Sequence, residues 1–314
     1  MKDRYHVPVL LEEVLRYLPS DPGGLVVDGT LGGGGHAEAL AERLGPRGLL
    51  LGLDRDAEAL EACRGLTERF PGRVRLARGN FGALPEILRR EGLGPASGVL
   101  LDLGVSSRHL DEADRGFSFL RDGPLDMRMD PSDGPSAAEL VNGLREAELE
   151  RLFRELGEEP RAHRVARAIA EARRRRPLAT TGDLARTVER ALGRQGGRHP
   201  ATRVFQALRI AVNRELEALE GFLGSLATVL APGGRVVVIA YHSLEDRRVK
   251  KAFQAPEDVC GGPLRVLTRK VVKPGRDEVE RNPRARSARL RAAERPAVDD
   301  PQTPVREDDH DDGG

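Results

Sequence analysis

Residues 25–36 read Leu25-Val26-Val27-Asp28-Gly29-Thr30-Leu31-Gly32-Gly33-Gly34-Gly35-His36, and this stretch decides the fold class. A short apolar run closed by an acid and a glycine cluster describes a buried strand that turns sharply into a helix. Residues 37–44 continue with apolar side chains at helical spacing. Three more apolar runs, 49–54, 74–77 and 99–103, each end in an acid or a glycine cluster, and 57–70 between two of them has helical periodicity. Strands alternating with helices at this spacing predict a parallel sheet with helices on both faces. In such sheets ligands bind beyond the carboxyl ends of the strands, which is where these acids and glycines fall.

A fifth strand is expected over 235–240, after the turn Ala231-Pro232-Gly233-Gly234 and a helix over 213–230. About 130 residues separate Val105 from Arg235, whereas a parallel crossover needs one helix and two short loops. Setting aside the preceding helix leaves an insertion of roughly 100 residues, the size of a domain. Residues 137–156, 161–176, 181–192 and 202 onward have helical periodicity, and Thr180 and Thr181 offer caps for the third of these. Residues 264–273 and 287–294 alternate like a closing hairpin. The expected architecture is α/β: a Rossmann-like sheet from 1–108 and 213–296, an inserted, mostly helical domain over 109–212, and an acidic disordered tail over 297–314.

The net charge of +1 conceals an asymmetry, because residues 297–314 carry seven acids against Arg306 and the rest of the chain is therefore +7. Arginines cluster at 173–176 and again between 281 and 295. A polyanionic partner and a solvated arginine-rich face account for this equally well. No apolar run approaches membrane-spanning length and the first residues lack a signal-peptide core. The two cysteines, Cys63 and Cys260, are too few for a metal framework and suit a reducing cytoplasm. No metal site is expected. Asp126, Arg128 and Asp130 share one side of an extended segment, where an Arg–Asp pair is favoured over a metal.

The glycine turn predicts a nucleotide-type cofactor at a helix N-terminus. Gly32-x-Gly34-x-x-Ala37 satisfies the dinucleotide fingerprint, with Asp54 near the spacing of a ribose carboxylate. That match alone leaves a nicotinamide oxidoreductase open. Two features favour S-adenosylmethionine. Asp28 opens the motif with a charge suited to the methionine ammonium, and Asn80-Phe81 after the third strand offers a polar group and a ring for adenine. Asp54 also reads as a helix cap ahead of Ala57, and Phe81 by itself as core.

Longer motifs follow: DGTLGGGGH at 28–36, LDLGVSSRHLD at 101–111, RGFSFLRDGPLDMRMDP at 115–131, HPATRVFQALRIAVN at 199–213, YHSLEDR at 241–247 and NPRARSARLR at 282–291. Together they resemble the bacterial 16S ribosomal RNA cytosine-N4-methyltransferase family, known as RsmH or MraW, from His6 to about Arg295. The resemblance implies a class I methyltransferase sheet with an inserted helical domain. It also implies S-adenosylmethionine as cofactor, and N4-methylation of a decoding-centre (P-site) cytidine in 16S rRNA of the small ribosomal subunit. It assigns Gly34, Gly35, His36, Asp54, Phe81 and Asp102 to the cofactor. His109, a further candidate for the cofactor because it can donate or accept a hydrogen bond, stands where family members often have Gln, and Arg108 where some have Pro. A homodimer is compatible with this reading.

A cytosine N4 amine is a poor nucleophile because its lone pair is delocalised into the ring. The enzyme must hold it in line and accept its hydrogens. Other amino-methyltransferases do this with an Asp/Asn/Ser-Pro-Pro-aromatic motif after the fourth strand; here Asp102-Leu103-Gly104-Val105 lacks both prolines and the aromatic. Asp102, His242 and Ser243 are therefore the candidate catalytic residues, with a helix cap as the competing role for Ser243. Phe117, Phe119 and Tyr241 are candidates to stack on a base turned out of its helix, each by itself better suited to a core. Arg281, Arg284, Arg286, Arg289 and Arg291 are candidates for phosphate contacts. Without the later motifs, a non-catalytic RNA-binding factor stays open as well.

Overall fold

Parallel strands form where the apolar runs predict them. A computed structural model of the protein describes residues 8–18, 23–193, 197 and 199–297. Its strands are β1 (Leu25–Asp28), β2 (Leu49–Asp54), β3 (Val74–Arg78), β4 (Ala96–Asp102), β5 (Leu230–Ala240), β6 (Arg265–Val266) and β7 (Arg289–Glu294). They lie in the order β3-β2-β1-β4-β5-β7-β6. The first five are parallel, and β7 runs antiparallel to both neighbours. The order reverses between β1 and β4, which opens a crevice at their carboxyl ends. This is the expected Rossmann-like class I methyltransferase sheet.

Burial on both faces explains why these strands read as continuous apolar runs. Leu51, Leu53, Val99 and Leu101 pack on one face with Leu84, Leu219, Phe222 and Phe253. Leu50, Leu100, Val237 and Leu290 point the other way, onto Val14, Leu40 and Leu66. Between β4 and β5 the helices Ala137–Gly143, Glu146–Glu155, Ala162–Arg175, Thr181–Leu192 and Thr202–Asn213 build a separate core on Val141, Phe153, Ile169, Val188 and Leu208.

Several boundaries differ from the periodicity, each for a local reason. The helix expected over 137–156 is two helices, because the Glu148 carboxylate accepts the Arg145 N–H at 2.8 Å and starts a new N-terminus. The helix expected over 57–70 breaks at Cys63. The helix expected from 213 begins at Glu215, because Arg214 takes a left-handed conformation with φ 49°. Asn213 explains that break. Its buried amide donates to the Met127 carbonyl and accepts from the Met129 N–H, both at 2.8 Å, which ties the helix end to the segment before it. The hairpin over 264–273 and 287–294 forms, but β6 is two residues long, with one further bridge from Val272 to Leu290. The reading of a disordered tail falls, from residue 298 on, outside the described residues. Among the described residues no helix is long and apolar enough to cross a membrane.

Candidate active site

The turn after β1 is built by backbone bonds to two acids. Asp28 Oδ1 accepts the Thr30 N–H at 3.1 Å, and Asp54 Oδ2 accepts the Gly32 N–H at 2.9 Å. Gly34 then adopts φ 76° ahead of the helix Gly35–Arg43, a conformation that suits glycine. A Cβ there would sit 2.8 Å from Cys63 Sγ. Asp54 Oδ1 accepts from the Asp56 N–H, and Asp56, rather than Asp54, caps the next helix by accepting from Glu58 N at 2.9 Å. The fold thus uses Asp54 to hold the glycine turn against β2.

Above this turn lies a cavity of about 490 Å³. Seven residues expected at the cofactor line it: Gly35, His36, Asp54, Asn80, Phe81, Asp102 and His109. The other two, Asp28 and Gly34, lie behind its wall. Asn80 caps the short turn that carries Phe81, and Phe81 meets Phe222 edge-on at 6.2 Å. His109 is buried and faces Asp56 Oδ2 at 2.9 Å, where Arg115 also donates at 2.8 Å. Burial opposes ionisation of Asp56, but these two hydrogen bonds outweigh it and hold the carboxyl well below the usual range.

The wall is electrostatically poised for a cation. Burial pushes the Asp28 carboxyl up to about 6, partly offset by His36, and its Oδ2 has no hydrogen-bond partner. Burial likewise raises Asp54 and lowers His36. His36 Nε2 lies 2.9 Å from the Val9 carbonyl, which assigns the proton to Nε2. Nδ1 is then a lone pair, 3.6 Å from Asp102 Oδ2. A cavity lined by glycine backbone and an unprotonated imidazole nitrogen, with the buried acid Asp28 outside its lining, fits S-adenosylmethionine, whose ammonium and sulfonium are cationic.

At the far end, Asp102 accepts from the Tyr241 hydroxyl at 2.8 Å, while its N–H donates to Thr30 Oγ1 at 2.6 Å. Burial, and then the facing Asp102, raise the Tyr241 phenol, so it stays a donor. Arg209 and Glu215, which the residue patterns did not single out, also line this end, with Arg209 Nε and Nη2 each 2.8 Å from a Glu215 oxygen. His242 and Ser243 lie outside the lining. His242 caps the helix Ser243–Gln254, accepting from Glu245 N through Nδ1. Its buried Nε2 is 3.1 Å from Glu245 Oε1 without hydrogen-bond alignment. Ser243 donates to Glu158. Glu215, His242 and Glu245 bring one ligand atom each within 4.8 Å of one another. Arg209 already neutralises one of these acids, Glu215.

The expected RNA contacts divide. Arg284 and Arg286 stand at the cavity, Arg284 pairing with Asp111 at 2.8 Å. Arg289 and Arg291 both pair with Asp246, at 3.2 and 2.7 Å. Arg281 is exposed and bonds the Asp277 carbonyl. Phe117 is buried against His109, and Phe119 stacks on His199 with centroids 4.4 Å apart, so neither reaches the cavity. Asp126 and Arg128 form the expected pair, at 2.7 and 2.9 Å.

The sheet order and this cavity define an S-adenosylmethionine-dependent methyltransferase. The chain belongs to the MraW methylase family, whose model matches residues 3–296. It is 49% identical over 308 residues to a ribosomal RNA small subunit methyltransferase H of Thermomicrobium roseum, covering 94% of each chain. It is 48% identical over 309 residues to the protein of the same name from Syntrophobacter fumaroxidans, covering 93% of this chain and 97% of that one.

Proposed function

We propose that the protein transfers the methyl group of S-adenosylmethionine to the exocyclic N4 of the decoding-centre (P-site) cytidine in 16S rRNA. The small ribosomal subunit is its partner and the cytoplasm its place of work. The names of its relatives support the small-subunit rRNA. The observation that carries the chemistry is Asp102, on the cavity wall and held by Tyr241 at 2.8 Å.

When bound, S-adenosylmethionine supplies an electrophilic methyl on a sulfonium. Gly35, His36, Asp54, Asn80, Phe81, Asp102 and His109 would hold it, while Asp28 and Gly34 shape the turn from behind. As a carboxylate on the cavity wall, Asp102 would accept an N4 hydrogen, which lets the nitrogen pyramidalise and present its own lone pair. Tyr241 positions that carboxylate. His242, as the cap beside Tyr241, acts on the site by positioning, and Ser243 ties the same turn to the inserted helices through Glu158. Arg281, Arg284 and Arg286 would meet phosphates near the mouth. We place the methyltransferase domain at 1–108 and 213–296 and the substrate-recognition domain at 109–212.

The test is transfer of tritiated methyl from S-adenosylmethionine to purified small subunits and to naked 16S rRNA. Label in the RNA of either substrate is the expected result. No label in either, with cofactor binding intact, overturns the proposal.

A further inference from the structure

Three groups converge on one point at the substrate end of the cavity. Gly104, just beyond β4, adopts φ 99°; a Cβ placed there would lie 3.7 Å from Tyr241 Cδ2 and 3.9 Å from Arg209 Nη1. All three residues line the cavity. The side chain of Arg209 is 16% exposed and that of its partner Glu215 10%. Both oxygens of Glu215 are taken by Nε and Nη2, which fixes the guanidinium plane. Nη1 makes no hydrogen bond among the described residues and is the nitrogen turned toward Gly104.

A buried ion pair contributes little stability over an apolar pair of the same volume. Placing one on the wall of the cavity that also holds the acceptor Asp102 therefore calls for a use. Guanidinium offers donors only and stays charged. Beside its amine, cytosine presents two acceptors, N3 and O2, whereas uracil has an N–H at position 3. The other acids at this end are committed, Glu215 to Arg209 and Glu245 to the backbone N–H of Tyr241 at 2.8 Å and to His242. We propose that Arg209, held in plane by Glu215, donates through Nη1 to the N3–O2 edge of the target cytosine and selects that base. This assignment rests on the reading of a cytidine substrate.

The experiment compares methyl transfer to small subunits reconstituted with RNA carrying either cytidine or 3-deazacytidine at the target position. The analogue replaces N3 by C–H. Wild-type protein is expected to lose at least about tenfold in kcat/KM on the analogue, the effect of losing one hydrogen bond to a charged group. R209Q is expected to be slower on cytidine by a similar factor but to treat the two substrates alike. Its affinity for S-adenosylmethionine, measured by calorimetry, is expected to stay within about twofold of wild type. Arg209 used for a phosphate would leave wild type indifferent to N3, and that result overturns the proposal, as does full discrimination by R209Q. Should R209Q fail to bind cofactor, the wild-type comparison decides alone. Wild type inactive on both substrates overturns the cytidine reading itself, and this proposal with it.

Discussion

The hydroxyl of Tyr241, just beyond β5, donates to Oδ1 of Asp102, at the end of β4, at 2.8 Å. The pair exists because β4 and β5 are parallel neighbours, with Asp102 opposite Ile239. It fixes the orientation of an acid whose own N–H is tied to Thr30 of the glycine turn. Y241F keeps the ring and removes the donor. We expect kcat to fall about tenfold to a hundredfold, as for loss of a hydrogen bond to a charged group, with the dissociation constant for S-adenosylmethionine within about twofold. Steady-state kinetics with calorimetry separates the two; an equal loss in both would make Tyr241 a cofactor residue instead.

Asp28 couples cofactor binding to pH. Its folded carboxyl, raised to about 6 by burial, binds more protons than the unfolded one, so the stability of the free protein declines as pH rises toward 6. A cationic ligand nearby favours the ionised form, so binding is expected to release protons near pH 6 and to weaken as pH falls below it. Calorimetry in two buffers of different ionisation heat reads that release directly. D28N is expected to flatten the profile.

The Asp56 cluster has the opposite sign. Asp56, held below the usual carboxylate range by His109 and Arg115, contributes stability that is full above the unfolded value of about 4 and is lost as pH falls. D56A leaves the Arg115 cation without its buried partner and is expected to cost about 3–5 kcal/mol. Urea unfolding at pH 7 measures it, and a cost below about 1 kcal/mol would mean that Glu58, 3.1 Å from Arg115, takes over.

Gly34 allows no side chain. G34A combines a left-handed φ of 76° with a Cβ 2.8 Å from Cys63 Sγ, and is expected to cost about 1–3 kcal/mol and to weaken cofactor binding at least about tenfold. Thermal unfolding and calorimetry check both. Cys63 itself, its thiol pushed up to about 12 by burial and then by Asp28 and Asp54, is expected to resist alkylation at pH 8 until the protein unfolds.

The sheet was legible because parallel strands buried on both faces leave unbroken apolar runs, and the insertion because 130 residues exceed any single crossover. The glycine turn and its two acids were legible as local chemistry. Arg209 and Glu215 were not, for helical periodicity runs through the break at Arg214 and hides that two residues six apart face each other. Nor was the link from Tyr241 to Asp102, which only strand pairing reveals across 139 residues. Phe117 and Phe119 have the composition of a stacking platform; their rings instead pack on His109 and His199, which pattern alone does not connect to them.

The central claim is that this cavity methylates an amine on cytosine, and the identity of the methylated nucleoside tests it most directly. Small subunits lacking the modification are incubated with the protein and S-adenosylmethionine, and the 16S rRNA is digested and resolved by mass spectrometry. N4-methylcytidine, absent when D102A replaces wild type, is the predicted product. A methyl group on carbon 5 of cytidine, on the ribose or on another nucleoside would contradict the account.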